Sequence, residues 1–152
     1  MIRLYKDTDW LQVIDIYDRS KPDEMKGVVD SDLITSLSQD KKMIRYFNES
    51  EVHVYEEGKR ILGFIGRKED VLSWLFVHPN YRRKGIAKKL LSYQISAWSN
   101  TLMLNLVKSN HAALSLYKNF GFNIHKEFYG NMYGKRIPAI KMVLNDVSEP
   151  VV

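Results

Sequence analysis

Apolar and polar positions follow two rhythms along this chain, and the rhythm changes near Glu51. Before it, "TDWLQVIDIYDRS" sets Trp10, Val13, Ile14 and Tyr17 at helical spacing, with Thr8 as a candidate N-cap. Residues 1–5 read as a short strand. "SKPDEMKGVVDSD" is polar and broken by Pro22 and Gly27, so a loop is expected there, and a second helix from about Ser31 to Phe47. After Glu51 come three β-rich runs, 51–56, 60–67 and 71–77, the first two joined by a turn at Glu57-Gly58. Pro79 ends the third. Helical spacing returns from Arg83 or Lys84 to Trp98 through Ile86, Ala87, Leu90, Leu91 and Ile95. "TLMLNLV" is a further strand, and "NHAALSLYKNF" a short helix with Ala113, Leu116, Tyr117 and Phe120 on one side and Gly121 as its breaker. "FNIHKEFYG" and "RIPAIKMVL" close the chain as two strands around a polar turn. The order β-α-α-β-β-β-α-β-α-β-β predicts an α/β (α+β) fold with a mixed, mostly antiparallel central sheet flanked by helices. No repeat or linker divides the chain, so one domain over 1–146 is expected, with a loose tail at 147–152.

Composition limits the function classes without choosing one. The 152 residues, 45% hydrophobic and 27% charged, are those of an ordinary globular chain. A net charge of +5 allows a polyanionic partner but does not require one. The absence of cysteine excludes a disulfide framework, a thiolate metal site and a cysteine nucleophile, and agrees with a reducing cytoplasm. "MIRLYKDTDW" is charged and amphipathic, unlike a signal peptide, and no apolar run approaches the roughly 18 residues of a membrane span. A cytoplasmic protein with no membrane association is expected. The four histidines, at 53, 78, 111 and 125, lack ligand spacing, so no metal site is expected.

One stretch changes the picture. In "HPNYRRKGIAKKLL" a strand ends, a loop follows and a helix opens amid Arg82, Arg83, Lys84, Lys88 and Lys89. The first turn of a helix carries N–H groups without intrahelical partners and the positive end of the helix dipole, which together favour an anion. Gly85, lacking a Cβ, would admit a phosphate close to the backbone, and Ala87 would crowd it little. The cations alone equally suit a solvated basic helix face. The glycine is harder to explain so, since glycine in a helix costs about 1 kcal/mol relative to alanine. A nucleic-acid binder would spread its charge over a broader patch, so no nucleic acid is expected.

Arg82-x-x-Gly85-x-Ala87 resembles the Gln/Arg-x-x-Gly-x-Gly/Ala signature of the GNAT superfamily of N-acetyltransferases, and Val77, Pro79 and Tyr81 fit its strand-loop-helix context. "NHAALSLYKNFGF" resembles a later element of that family, Asn-x-x-Ala-x-x-Leu-Tyr-x-x-x-Gly-Phe, with Asn110, Ala113, Leu116, Tyr117, Gly121 and Phe122 in register. "YGKRIPAIKM" is similar to the closing hairpin of small bacterial members. The resemblance implies a GNAT-like fold and acetyl-CoA as cofactor, bound by Leu75, Phe76, Val77, Arg82, Arg83, Lys84, Gly85, Ile86, Ala87, Asn105, Asn110 and Tyr117. It implies direct transfer of the acetyl group to a primary amine, on a small molecule or a peptide. A strand edge at Leu75 to Val77 suits an extended amide arm. Tyr117 is the implied catalytic residue, protonating the departing sulfur, although its spacing also fits simple packing beside Leu116 and Phe120. Asn110 would touch the cofactor, and also fits a helix N-cap.

The general base is the departure. Where family members carry glutamate, this chain has Ser73 and Asn105. Glu69, Asp70, His78, His111, His125, Glu24 and a water chain all stay open. Acceptor recognition is expected from Asp23, Glu24, Asp30 and Asp32 in the first loop and from Tyr129 and Tyr133 in the last turn. The missing carboxylates also support an alternative, a non-catalytic acetyl-CoA-binding module acting as sensor or scaffold. A homodimer is allowed by the resemblance.

Overall fold

A computed structural model describes residues 1–144; the tail expected at 147–152, and the domain end at 146, lie outside the described residues. Seven strands run in chain order as β1 (Ile2–Leu4), β2 (Glu51–Glu57), β3 (Arg60–Lys68), β4 (Val71–Val77), β5 (Leu102–Val107), β6 (Asn123–Met132) and β7 (Lys135–Leu144). They form one sheet in the order β1-β2-β3-β4-β5-β7-β6, antiparallel throughout except where β4 meets β5. Four α-helices cover it: α1 (Trp10–Glu24), α2 (Lys41–Asn48), α3 (Ile86–Ala97) and α4 (His111–Asn119). The expected fold class and element order are found.

Alternation along the strands divides the core into two layers. On one face Val13, Ile16 and Tyr17 of α1 and Phe47 of α2 pack on Val52, Val54, Phe64 and Trp74. On the other, Leu90 and Leu91 of α3 and Tyr117 of α4 pack on Ile65, Leu72, Leu104 and Met142. Gly63 lets α3 sit this close to β3. A Cβ there would lie 2.9 Å from the Phe76 carbonyl oxygen and 3.3 Å from side-chain atoms of Ile86 and Leu90. Among the described residues no helix is long and apolar enough to cross a membrane.

The residue before α1 is Asp9, with the expected N-cap Thr8 inside a 3₁₀ turn, Asp7–Asp9. Three larger local expectations fail for physical reasons. First, α1 continues through Pro22 to Glu24, so the first five residues of the expected loop, 20–24, are helix. Pro22 falls in the last turns, where the N–H it lacks removes a single bond. Second, the helix expected over 31–47 is two short 3₁₀ turns, Ser31–Leu33 and Leu37–Gln39, followed by α2. Asp18 of α1 accepts hydrogen bonds from the Ser36 hydroxyl (2.7 Å) and the Leu37 N–H (2.9 Å), diverting that backbone from a continuous helix. Asp40 then caps α2 by accepting from the Met43 N–H. Third, α3 opens at Ile86, with Gly85 outside it as the N-cap at φ +77°. The glycine is therefore required by a left-handed backbone, which the sequence argument had attributed to close approach alone.

Candidate functional site

The parallel strands β4 and β5 pair only at their start, Val71 opposite Met103, where the Met103 N–H donates to the Asp70 carbonyl (2.8 Å). Beyond that pair the two strands part. The register of β4 on β3 fixes what faces the gap. The His78 N–H donates to the Leu62 carbonyl, and Phe76 lies opposite Phe64, so the backbone of alternate residues turns the other way. Leu75 and Val77 thus present N–H and C=O toward β5. The Val77 carbonyl already accepts from the Ser20 hydroxyl of α1 (3.0 Å). By the same alternation on β7, where the Lys108 N–H donates to Pro138, the Asn105 backbone faces β4. A sheet rarely leaves two facing strand edges unpaired.

The gap widens into a cleft of about 490 Å³, within the range of small-molecule sites. Its walls include Leu75, Phe76, Val77, Leu104 and Leu106 from the strands, Ser20, Asp23 and Glu24 from α1, and Asn110, Ala113, Leu116 and Tyr117 around α4. At the mouth stand Arg82, Arg83, Gly85, Ile86, Ala87 and Lys88. Arg83 (φ +64°) and Gly85 both have left-handed backbones. The first bond of α3 runs from the Lys89 N–H to the Gly85 carbonyl (3.0 Å), leaving the N–H groups of Ile86, Ala87 and Lys88 without intrahelical partners. A Cβ built on Gly85 would meet no protein atom within 4 Å, so the space beside this turn is open.

Of the residues that the resemblance assigned to cofactor binding, Lys84 alone stays out of the walls. Its ammonium lies 5.3 Å from the centroid of the Tyr81 ring, and the nearby Lys89 sits over Tyr55 instead (5.7 Å). Arg82 lines the mouth while bonded to Asp23 at 2.6 Å, joining the end of α1 to the basic turn. Asn110 caps α4 by accepting from the Ala113 N–H (3.3 Å) and also lines the cleft, so both roles expected of it coexist. Tyr117 is 8% exposed, packs edge-on to Phe122, and has no hydrogen-bond partner for its hydroxyl among the described residues. Burial pushes its phenol pKa well up, and the charge of Glu24 adds to this. The phenol therefore keeps its proton at neutral pH.

The candidate bases separate. Ser73 and Asn105 line the cleft, with the Ser73 hydroxyl bonded to that of Tyr46 (2.5 Å). Glu24 lines it too. Glu69 and Asp70 sit in the turn before β4, at the closed end. His78 turns away toward Asp15 (3.5 Å) and accepts from the Asn80 N–H; His111 and His125 are exposed outside the walls. Among the expected acceptor residues, Asp30 and Asp32 are exposed and outside the cleft, and Tyr129 is 61% exposed beneath the Arg136 guanidinium. Tyr133, left-handed at φ +53°, turns the β6–β7 hairpin. Burial is the largest influence on its phenol pKa, which is raised, and the charges of Glu24, Asp40 and Asp18 add to this. Sequence reasoning missed Ser20, Leu104 and Leu106. The crossing of α1 over β4 brings in Ser20, and the parting of β5 from β4 places the two leucines at the cleft.

An acetyltransferase (GNAT) domain model matches residues 48–124, half of the chain, and the protein belongs to that family. The chain is similar to the peptidyl-lysine N-acetyltransferase YiaC of Escherichia coli, 34% identical over 52% of this chain and 54% of that one. It is also 35% identical to the [ribosomal protein bS18]-alanine N-acetyltransferase of the same organism, over 50% of this chain and 55% of the relative. The chain thus spans about half the length of these curated relatives. The solved structure of yncA from Salmonella typhimurium, described as a putative acetyltransferase with its cofactor acetyl-CoA, aligns over 100% of this chain and 96% of its own, with a TM-score of 0.73 at 18% identity. That likeness concerns the fold.

Proposed function

We propose that the protein is an acetyl-CoA-dependent N-acetyltransferase acting directly on a primary amine of a peptide or small molecule. One observation carries this reading: two facing strand edges that lead from an apolar cleft to the open N-terminus of α3. Such edges suit the amides of an extended arm, and the turn at its mouth suits a diphosphate. The fit is good on three counts: free N–H groups at Ile86 to Lys88, open space beside Gly85, and the cations Arg82, Arg83 and Lys88 on the rim. Bound acetyl-CoA would supply an acetyl group activated as a thioester.

The chain's own residues then do the rest. Backbone N–H groups of Leu75 and Val77 orient the arm and offer hydrogen bonds where negative charge develops. Leu104, Leu106 and Leu116 keep water from the cleft. Tyr117, on the cleft wall, holds a proton at its phenol oxygen and is suited to donate it to a departing sulfur. The cytoplasm is the compartment that fits a chain without cysteine using a coenzyme thioester. Replacing Tyr117 with Phe should lower kcat about a hundredfold or more while coenzyme affinity stays level. An unchanged kcat would remove Tyr117 from the chemistry.

Ser73 and Asn105, in place of carboxylates on the cleft wall, favour a second reading, a non-catalytic acetyl-CoA sensor or scaffold. Turnover against a panel of peptide and small-molecule amines separates the two. Binding of acetyl-CoA without turnover would select the second.

A further inference from the structure

Two carboxylates, Asp23 and Glu24, line the cleft, and they are not equivalent. Asp23 is engaged by Arg82 at 2.6 Å. Of the neighbouring acids, Asp18 is occupied by Ser36 and Leu37, and Asp40 by the N-terminus of α2. Glu24 keeps one oxygen in reserve: its Oε2 accepts from the Lys21 ammonium at 3.2 Å, and its Oε1 has no partner among the described residues. Lys21 itself is buried, its side chain 7% exposed, with its ammonium 5.6 Å from the Tyr17 ring centroid and 5.8 Å from that of Phe76. A lysine is rarely buried without reason. Here it holds the Glu24 carboxylate, which lines the cleft with its side chain 25% exposed, while Lys21 itself is not part of the lining.

A second, independent feature points the same way. Tyr117 is more than nine-tenths buried, lines the same cleft, and has an unpartnered hydroxyl. Burial raises its phenol pKa, and the charge of Glu24 on the same wall adds to this. An anionic oxygen and a phenol donor thus share one space. We infer that Glu24, held by Lys21, is the carboxylate that receives the acceptor in its ammonium form, so the site selects cationic primary amines. This inference rests on the transferase reading above. Lys21 acts through Glu24 and is a positioning residue.

The test is binding, measured apart from turnover. The amide of Nα-acetyl-lysine serves as the ammonium probe, titrated by saturation-transfer NMR into the wild type and into variants with coenzyme A present. Coenzyme A affinity is measured separately by calorimetry. Glu24→Gln alone would strand the Lys21 charge in an apolar setting and risk unfolding. The double variant Lys21→Met/Glu24→Gln removes both charges and keeps the experiment decisive. The expected result is probe affinity reduced at least about fivefold, the scale of one lost charge-assisted bond, with coenzyme A affinity unchanged. Restored probe affinity in Glu24→Asp would strengthen it. Equal probe affinity in the folded double variant, or no probe binding by a wild type that binds coenzyme A, overturns the inference and leaves the transferase reading standing. A wild type that fails to bind coenzyme A brings down that reading instead.

Discussion

The two ends of α3 carry similar charge and opposite character. At the N-terminal end Arg82, Arg83 and Lys88 are exposed around open backbone N–H groups and an open cleft. At the C-terminal end Arg67 of β3 is 7% exposed, with its guanidinium 3.6 Å from the ring centroid of Trp98, the C-cap of α3. It donates to the Glu69 carbonyl (2.9 Å) and to Glu51 (3.3 Å), while the Tyr93 hydroxyl of α3 meets the His53 ring at 3.2 Å. At one end Arg67 fastens helix to sheet; at the other Arg82 pairs with Asp23 while Arg83 and Lys88 stand exposed beside the open backbone N–H groups. Positive charge alone does not make an anion site. The difference lies in the backbone, left-handed at Arg83 and Gly85 at one end and closed by aromatic packing at the other.

That contrast can be broken from either side. The largest effect on stability is expected from Arg67→Met, which removes the stack and both hydrogen bonds. Loss of these interactions should cost about 2 kcal/mol in a denaturant titration without weakening coenzyme A binding. A large loss of affinity with intact stability would contradict the division of labour. Arg83→Gln should do the reverse. Its coenzyme A affinity should fall at most about fivefold, with the deficit shrinking in high salt and the melting temperature unmoved.

The smallest effect concerns His53. Burial lowers its pKa and the nearby Arg67 cation lowers it further, against the opposing charge of Glu51. A histidine whose folded pKa lies below its unfolded value is held neutral, so the unfolded chain takes up the proton first as pH falls. Stability is then fully present above about 6.5, the ordinary histidine value, and declines below it toward the lowered folded pKa. His53→Gln should flatten that part of the stability curve. An identical acid slope in the variant would exclude His53 as its source.

The sequence made the element order and the basic turn legible because both rest on local signals. Strand runs such as "EVHVYEE" and the helical spacing of Leu90, Leu91 and Ile95 survive any tertiary context that buries them. The second helix was misjudged because its first half is claimed by Asp18, a residue of another helix. The purpose of Gly85 was half visible, since spacing cannot report a φ angle. The open edge at Leu75 to Val77 was implied only by the resemblance: nothing in "VLSWLFV" or "TLMLNLV" themselves says that pairing of β4 with β5 stops after Val71 and Met103. The site depends on that gap, and so does the entry of Ser20 and Glu24 from α1.

The central claim is that the α3 N-terminus and the parted strands form one coenzyme site. Calorimetric titration of acetyl-CoA into the wild type and Gly85→Val tests it most directly. A β-branched residue at φ +77° is strained and projects into the space beside the turn, where a Cβ would meet no protein atom within 4 Å. The account predicts binding by the wild type, affinity at least about a hundredfold weaker in the variant, as for loss of several charge-assisted contacts, and a melting curve that still shows a cooperative fold. Equal affinity in a folded Gly85→Val protein would contradict it.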